Sequence, residues 1–299
     1  MSSPLVADDV LDIDADMAAM LPPAETAGAQ GHGHHDHGHG HGHGHHEGHG
    51  HGDHEGHAHG HHGGHNHGHA HEHGHGHGHG TLADSNKDHF STIAEKYSEF
   101  PSAIKLARYL AAAMRKTYAF NEESTTLLDF ACGPGLVSRE LAAYTKKIVG
   151  VDISHGMVDQ YNKRVNEQGI PPEEMHAVCI ELKGEPGELD GAKFDVIVCS
   201  MAYHHLEDIA ASTRTLVGFL KPGGHLMVCD IARAADEREI IPEEFHKVVS
   251  HSHGISEAEI RGTFEGAGLK EFAFKALVKA KVHGAQVDLF VAEGVMAAE

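Results

Sequence analysis

Asp129-Phe130-Ala131-Cys132-Gly133-Pro134-Gly135 joins a carboxylate to two glycines across a tight turn. Glycines at 133 and 135 let a ligand come against the backbone where a β-carbon would block it. Asp152 stands 17 residues after Gly135. An acid at that distance suits a pair of hydrogen bonds to a ribose diol. Hydrogen bonds to a charged group are worth about 1.5–3 kcal/mol each. The same loop and acid fit a nicotinamide coenzyme, and a plain turn with Asp152 capping the next helix is the structural alternative. The loop is not G-x-G-x-x-G, because Leu136, Val137 and Ser138 follow Gly135. A pyrophosphate wants the third glycine and a free helix start. A cofactor without phosphates does not.

Alternating helix and strand must position these residues. TTLLDF (125–130), IVGVDIS (148–154), MHAVCI (175–180), FDVIVCS (194–200) and HLMVCD (225–230) are apolar runs with strand character. Between them, 137–144, 155–166 and 209–220 have helical spacing, as do Ile104, Ala107, Leu110, Ala111 and Met114 ahead of the first strand. Lys221-Pro222-Gly223-Gly224 reads as a turn, and Ser256 with Glu259 as a capping box for a helix ending near Gly268. FAFKALVKAKV and VDLFVAEGVM close the chain as a strand pair. Strands that are apolar throughout and separated by helices imply an α/β fold, a parallel sheet covered on both faces. Ligands then bind outside the carboxyl ends of the strands, which is where Asp129 and Asp152 fall.

The 299 residues carry 44 acids against 23 Lys and Arg, a net charge of −21. All 23 bases lie after residue 80, where they face 33 acids. Without a basic arm, nucleic-acid binding by phosphate neutralisation is not expected. No run of 18 apolar residues predicts a membrane span. Residues 1–10 lack the charge ahead of an apolar run that a secretory signal needs. Cys132, Cys179, Cys199 and Cys229 form no C-x-x-C pair, which suits a reducing compartment. A cytoplasmic location is therefore expected, with the nucleus as the alternative.

Three zones emerge. Residues 1–30 alternate acidic and apolar. Val10, Ile13, Met17, Met20 and Leu21 have helical spacing up to Pro22 and Pro23, so the choice lies between a short amphipathic helix that docks a protein partner and a solvated, disordered tail. Residues 31–80 hold 24 His and 18 Gly in 50 positions. Nothing there offsets the entropy of ordering, and a disordered Gly–His tract is expected. Its imidazoles are ligands for zinc, nickel and copper, loosely and exchangeably, above about pH 6.5. A spacer with incidental metal affinity is the alternative. The ordered domain is expected over 84–299.

The motifs DFACGPG, VGVDIS, FDVIVCSMAYHHLED and LKPGGHLMVCD, in this order and spacing, resemble the class I S-adenosylmethionine-dependent methyltransferases. The small-molecule group related to the ubiquinone/menaquinone C-methyltransferases is the most similar. The resemblance covers roughly residues 88–295. It implies a Rossmann-like seven-stranded sheet whose last strand, about 286–294, inserts antiparallel beside the fifth. It also implies that Asp129 and the backbone of Ala131, Cys132, Gly133 and Gly135 hold the methionine end of the cofactor. Asp152 would bind the ribose, Ile153 and Met157 would pack on the adenine or ribose, and Glu181 with Leu182 would lie at the adenine edge. Ser200 would face the sulfonium side, and Tyr97 would belong to an N-terminal helical lid. Ala131 departs from the family where many members have a third glycine. Cys179-Ile180-Glu181-Leu182 departs where Gly-Asp is frequent.

The resemblance implies an electrophilic methyl and an in-line displacement, in which orientation supplies several kcal/mol. A thiolate or enolate acceptor needs little more, whereas a hydroxyl or ring carbon needs a base. His204 and His205, after the fourth strand, are the candidate bases, and a ring bonded to a backbone carbonyl is the structural alternative. His251 and His253 fall where the substrate-side insertion comes down, and could touch substrate or a metal. The ordered domain has no H-x-x-x-H pair, which argues against a catalytic zinc site. The expected activity is methyl transfer to a small-molecule acceptor. The alternative is a metal-handling protein whose Gly–His tract is the active part.

Overall fold

The computed structural model describes residues 10–14 and 80–298. The Gly–His tract and the remainder of residues 1–30 lie outside the described residues, so the readings placed there are not addressed by it.

A helix, α1 (Leu82–Tyr97), opens the main body. Thr81 caps it: its hydroxyl accepts from Asp84 N, and the Asp84 carboxylate accepts from Thr81 N. Such a reciprocal cap is worth roughly 1 kcal/mol. Next, α2 (Pro101–Thr117) starts on a proline, whose missing N–H costs nothing at that position. Ala103, Leu106, Ala107, Leu110, Ala111 and Met114 line its buried face at helical spacing.

The sheet elements follow in alternation: β2 (Thr126–Phe130), α3 (Leu136–Leu141), β3 (Lys147–Asp152), α4 (His155–Glu167), β4 (Met175–Cys179) and β5 (Phe194–Ser200). After them come α5 (Ile209–Val217), β6 (Leu220–Ile231), α6 (Glu257–Gly266), β7 (Lys270–Val282) and β8 (Ala285–Val295). Alternate residues of each central strand bury on opposite faces. Leu127, Val196, Val198, Met227 and Cys229 pack with α2, α3 and α4. Leu128, Ile197, Cys199, Leu226 and Val228 pack with α5 and α6. Both faces are covered, which is why the strands read as unbroken apolar runs.

Two details differ from expectation. The Lys221-Pro222-Gly223-Gly224 segment lies inside β6, and the β5–β6 register shifts between Phe194 and Val196 to accommodate it. At α6 only half of the capping box forms. Ser256 accepts from Glu259 N, but the Glu259 carboxylate is drawn away to Arg233 at 2.7 Å.

The sheet has eight strands, in the order β1-β7-β8-β6-β5-β2-β3-β4, where β1 is the short strand Leu11–Asp12. The seven expected strands are present, with β8 antiparallel between β6 and β7. The eighth, β1 (Leu11–Asp12), pairs parallel with β7, Leu11 opposite Ala280 and Asp12 opposite Lys281. Leu11 and Asp12 are therefore strand, where a tail or a helix was expected, while Asp14 is helical and the rest of the expected helix lies outside the described residues. β7 has an open edge, and the backbone groups there satisfy those of the tail. No helix among the described residues is long and apolar enough to cross a membrane.

Candidate active site

A cavity of about 480 Å³ runs along the carboxyl ends of the strands. It includes the switch between β2 and β5, where successive strands depart in opposite directions along the sheet.

The wall at β2 and β3 holds two carboxylates. Asp129 is buried at the end of β2 and accepts a 2.6 Å hydrogen bond from the Ser138 hydroxyl of α3. Burial outweighs that bond and raises its pKa to about 7. Asp152, at the end of β3, takes one backbone N–H on each oxygen, from Gly133 at 2.9 Å and from Ser154 at 2.8 Å. Burial raises its pKa, and those backbone bonds pull the other way. Each oxygen keeps a further lone pair for a ligand hydroxyl. Asp152 thus pins the glycine loop as well as facing the cavity. Ser154, not Asp152, caps α4, accepting from Met157 N.

The loop between them is strained where function would place strain. Ala131 has φ +54°, the left-handed region that favours glycine. A glycine would adopt this conformation without that penalty. A β-carbon at Gly133 would meet no protein atom within 4 Å, so this position opens on space a ligand can enter. Gly135 is required for another reason: a β-carbon there would come 2.6 Å from the Tyr161 ring.

Ile153, Met157 and Leu182 supply apolar wall beside Asp152, and Cys132 lies on the wall with its thiol pKa pushed up by burial. Glu181 reaches only the rim, exposed and 3.7 Å from Lys183. Tyr97 lies on the wall at the end of α1. That helix turns Ala83, Asn86, Phe90 and Tyr97 to the cavity at helical spacing. It rests on α4 through Ser91 and Ser154, whose hydroxyls are 2.9 Å apart, and its Phe90 packs edge-on against His205.

Three buried polar atoms on residues of the wall have no hydrogen-bond partner among the described residues: Ser200 Oγ, Asn86 Oδ1 and His89 Nδ1. Buried polar groups are normally satisfied, so these are places where a ligand would supply the missing bonds. Together with two carboxylates, an open glycine backbone and a Met–Ile–Leu surface, they fit a zwitterionic nucleoside without phosphates. The residues expected for S-adenosylmethionine, from Tyr97 to Ser200, are thus gathered at one cavity, with Gly135 behind it and Glu181 at its rim.

His204 and His205 divide. His204 Nδ1 lies 2.7 Å from Asp230 Oδ1, and His204 N donates to Asp230 Oδ2 at 3.1 Å. Asp230 is fully buried; burial raises its pKa, but His204 and the backbone bonds win and hold it below the usual carboxylate range. With Nδ1 committed, Nε2 is the nitrogen a bound molecule would meet. His205 bonds the Val248 carbonyl through Nδ1. Burial and the neighbouring His204 lower its pKa to about 3, so it stays neutral. The backbone-carbonyl alternative therefore describes His205, whereas His204 is bonded to a carboxylate. Asp230 was missed by sequence reasoning. It ends a strand as Asp129 and Asp152 do, and that pattern was a usable signal.

His251 and His253 do not reach this cavity. They line a separate one of about 310 Å³ with Arg233 and Ser252. Among the described residues no group of three or more His, Cys, Asp or Glu is placed to hold a metal ion, and all four cysteines are free.

A profile of the methyltransferase domain family matches residues 103–271. The chain belongs to that family. It is 38% identical over 156 residues to an uncharacterized methyltransferase of Schizosaccharomyces pombe, covering 50% of this chain and 55% of that protein. It is 28% identical over 163 residues to a ubiquinone biosynthesis O-methyltransferase of Coxiella burnetii, covering 51% and 66%. The alignments thus span 55% and 66% of the lengths of these two relatives. Among solved structures, a SAM dependent methyltransferase from Aquifex aeolicus aligns with a TM-score of 0.51 at 20% identity, over 69% of this chain and 98% of the other. The methyltransferase fold thus stands on sequence and structure together.

Proposed function

We propose that this methyltransferase-family chain transfers the methyl of S-adenosylmethionine to a hydroxyl oxygen of an apolar small molecule, with His204 as the base. The observation that carries the reading is His204 on the wall of the cavity that also holds Asp129, Asp152 and Ser200, bonded to the fully buried Asp230. The sulfonium cofactor supplies an electrophilic methyl. Asp129 would meet its ammonium, Asp152 its ribose, and Met157 with Ile153 the flat base.

The protein's part is orientation and one proton. His204 Nε2 takes the hydroxyl proton while Asp230 holds the ring in the productive tautomer and steadies the cation that forms. The oxygen–methyl bond forms as the carbon–sulfur bond breaks, its electron pair going to sulfur. The proton then leaves His204 for solvent. Phe90 and Tyr97 of α1 would keep water from the reacting atoms. The imidazoles of residues 31–80 remain metal ligands by their chemistry alone and carry no part of this proposal.

The test is transfer of labelled methyl from S-adenosylmethionine to a panel of neutral phenols and thiophenols, wild type against His204→Ala. Phenol turnover should fall about 10²–10⁴-fold, the usual worth of a positioned base. Thiophenols, largely ionised near neutral pH without help, should lose less. Unchanged phenol turnover would remove His204 from the chemistry, and a wild type that does not bind the cofactor would sink the whole reading.

A further inference from the structure

The cavity does not end at His204. It continues past β6 to the far edge of the sheet, where Ile13, Val282, Ile241, Phe245 and Val249 line it. From β5 to β1 is four strand spacings, roughly 19 Å. Ile13 is the outermost of these residues, and it comes from the N-terminal segment, far upstream of the matched region that starts at residue 103.

That segment is held firmly. Ile13 N donates to Lys281 O at 3.1 Å, continuing the β1–β7 ladder. Asp14 Oδ2 accepts from Gly284 N at 2.8 Å and pairs with Lys281 Nζ at 3.2 Å. Leu11 and Ile13 are 1% and 7% exposed, and they belong to the cluster that includes Leu106 and Leu110 of α2. His283, the titratable group on this part of the wall, packs against Phe245 at 4.4 Å and is biased to its neutral form by burial.

We infer that Ile13 is a specificity-determining residue: docked on β7, it forms the end wall of the acceptor chamber and sets how long an apolar group the acceptor can carry. This rests on the reading of the cavity as an acceptor site. A buried isoleucine next to valine and phenylalanine recognises by shape and apolar area, not by directional bonds. An acceptor held there would be neutral and aliphatic at the end remote from its hydroxyl.

The full chain, saturated with S-adenosylhomocysteine, is titrated with 4-n-alkylphenols from methyl to nonyl by calorimetry, for wild type, Ile13→Ala and Ile13→Phe. In wild type each methylene should tighten binding about fourfold until the wall is met. Ile13→Ala should move that limit up by about two carbons, and Ile13→Phe should weaken the longest members about tenfold, with the affinities for 4-methylphenol and S-adenosylhomocysteine unchanged. Asp14→Ala, which loosens the strand without altering the wall residue, should blunt the length limit. Identical length profiles in all four proteins would overturn the inference while leaving the acceptor reading intact. Wild type that binds S-adenosylhomocysteine but no alkylphenol would overturn the acceptor reading, and this inference with it.

Discussion

At the β2–β3 end of the cavity, Asp129 and Asp152 face a strained glycine loop, and each polar atom has a direction. At the β1–β7 end, Ile13, Val282 and Phe245 present aliphatic and aromatic surface. The first end is made by two consecutive strand–loop units of one chain stretch. The second is assembled from the N-terminal strand, α2, the 241–249 segment and the end of β7. A few charge-assisted bonds can fix a single cofactor tightly. A shaped apolar chamber selects by length and width, and is free to differ between family members that share the first end.

The sharpest way to break this contrast is Asp152→Ala. Loss of a carboxylate that anchors Gly133 and would hold the ribose should weaken S-adenosylhomocysteine binding by tenfold to a hundredfold, measured by calorimetry on the full chain. A change under threefold would mean the polar end does not fix the ligand through this residue. Ile13→Ala, by contrast, should leave that affinity untouched.

Asp129 sharpens the same contrast through pH. A carboxylate raised to about 7 in the folded state binds its proton where the unfolded chain has already lost it. Its contribution to stability is fully present below pH 4 and is lost as pH rises through 7, by roughly 3–4 kcal/mol across the window. The ionised form is the one that pairs with an ammonium, so S-adenosylhomocysteine should bind more tightly as pH rises through about 7. In Asp129→Asn both trends should flatten: the free chain gains stability at pH 8, and binding becomes weak and pH-independent. Chemical denaturation and calorimetry between pH 5 and 8.5 check the two. Binding that keeps its rise in the variant would assign the pH dependence to another group.

The smallest effect is expected at Ala131. Glycine there relieves a left-handed alanine, worth about 1–2 kcal/mol, and costs about 0.5–1 kcal/mol in chain entropy. Ala131→Gly should raise Tm by about 1–2 °C with cofactor affinity unchanged. A lower Tm would show that the alanine methyl packs usefully.

The strands and helices of the core were legible because each buries a continuous or periodic apolar set, and these signals are local. β5 falls where its apolar run places it, and β3 stops at Asp152, two residues short of its run. The loop and its two acids were legible for the same reason, since motif and spacing lie within 24 residues. Asp230 was within reach, as a third acid ending a strand, but its partner lies 26 residues away and no local pattern pairs it with His204. Ile13 was not legible at all. Neither a helix nor a tail places it on β7, and the open edge that receives it lies some 270 residues further on. By itself the sequence determined the alternation, the apolar interior and the carboxylates at the strand ends, because those depend on neighbours along the chain. Only the tertiary structure decided which histidine meets a carboxylate and which strand closes the chamber, because those depend on segments that become neighbours after the sheet has formed.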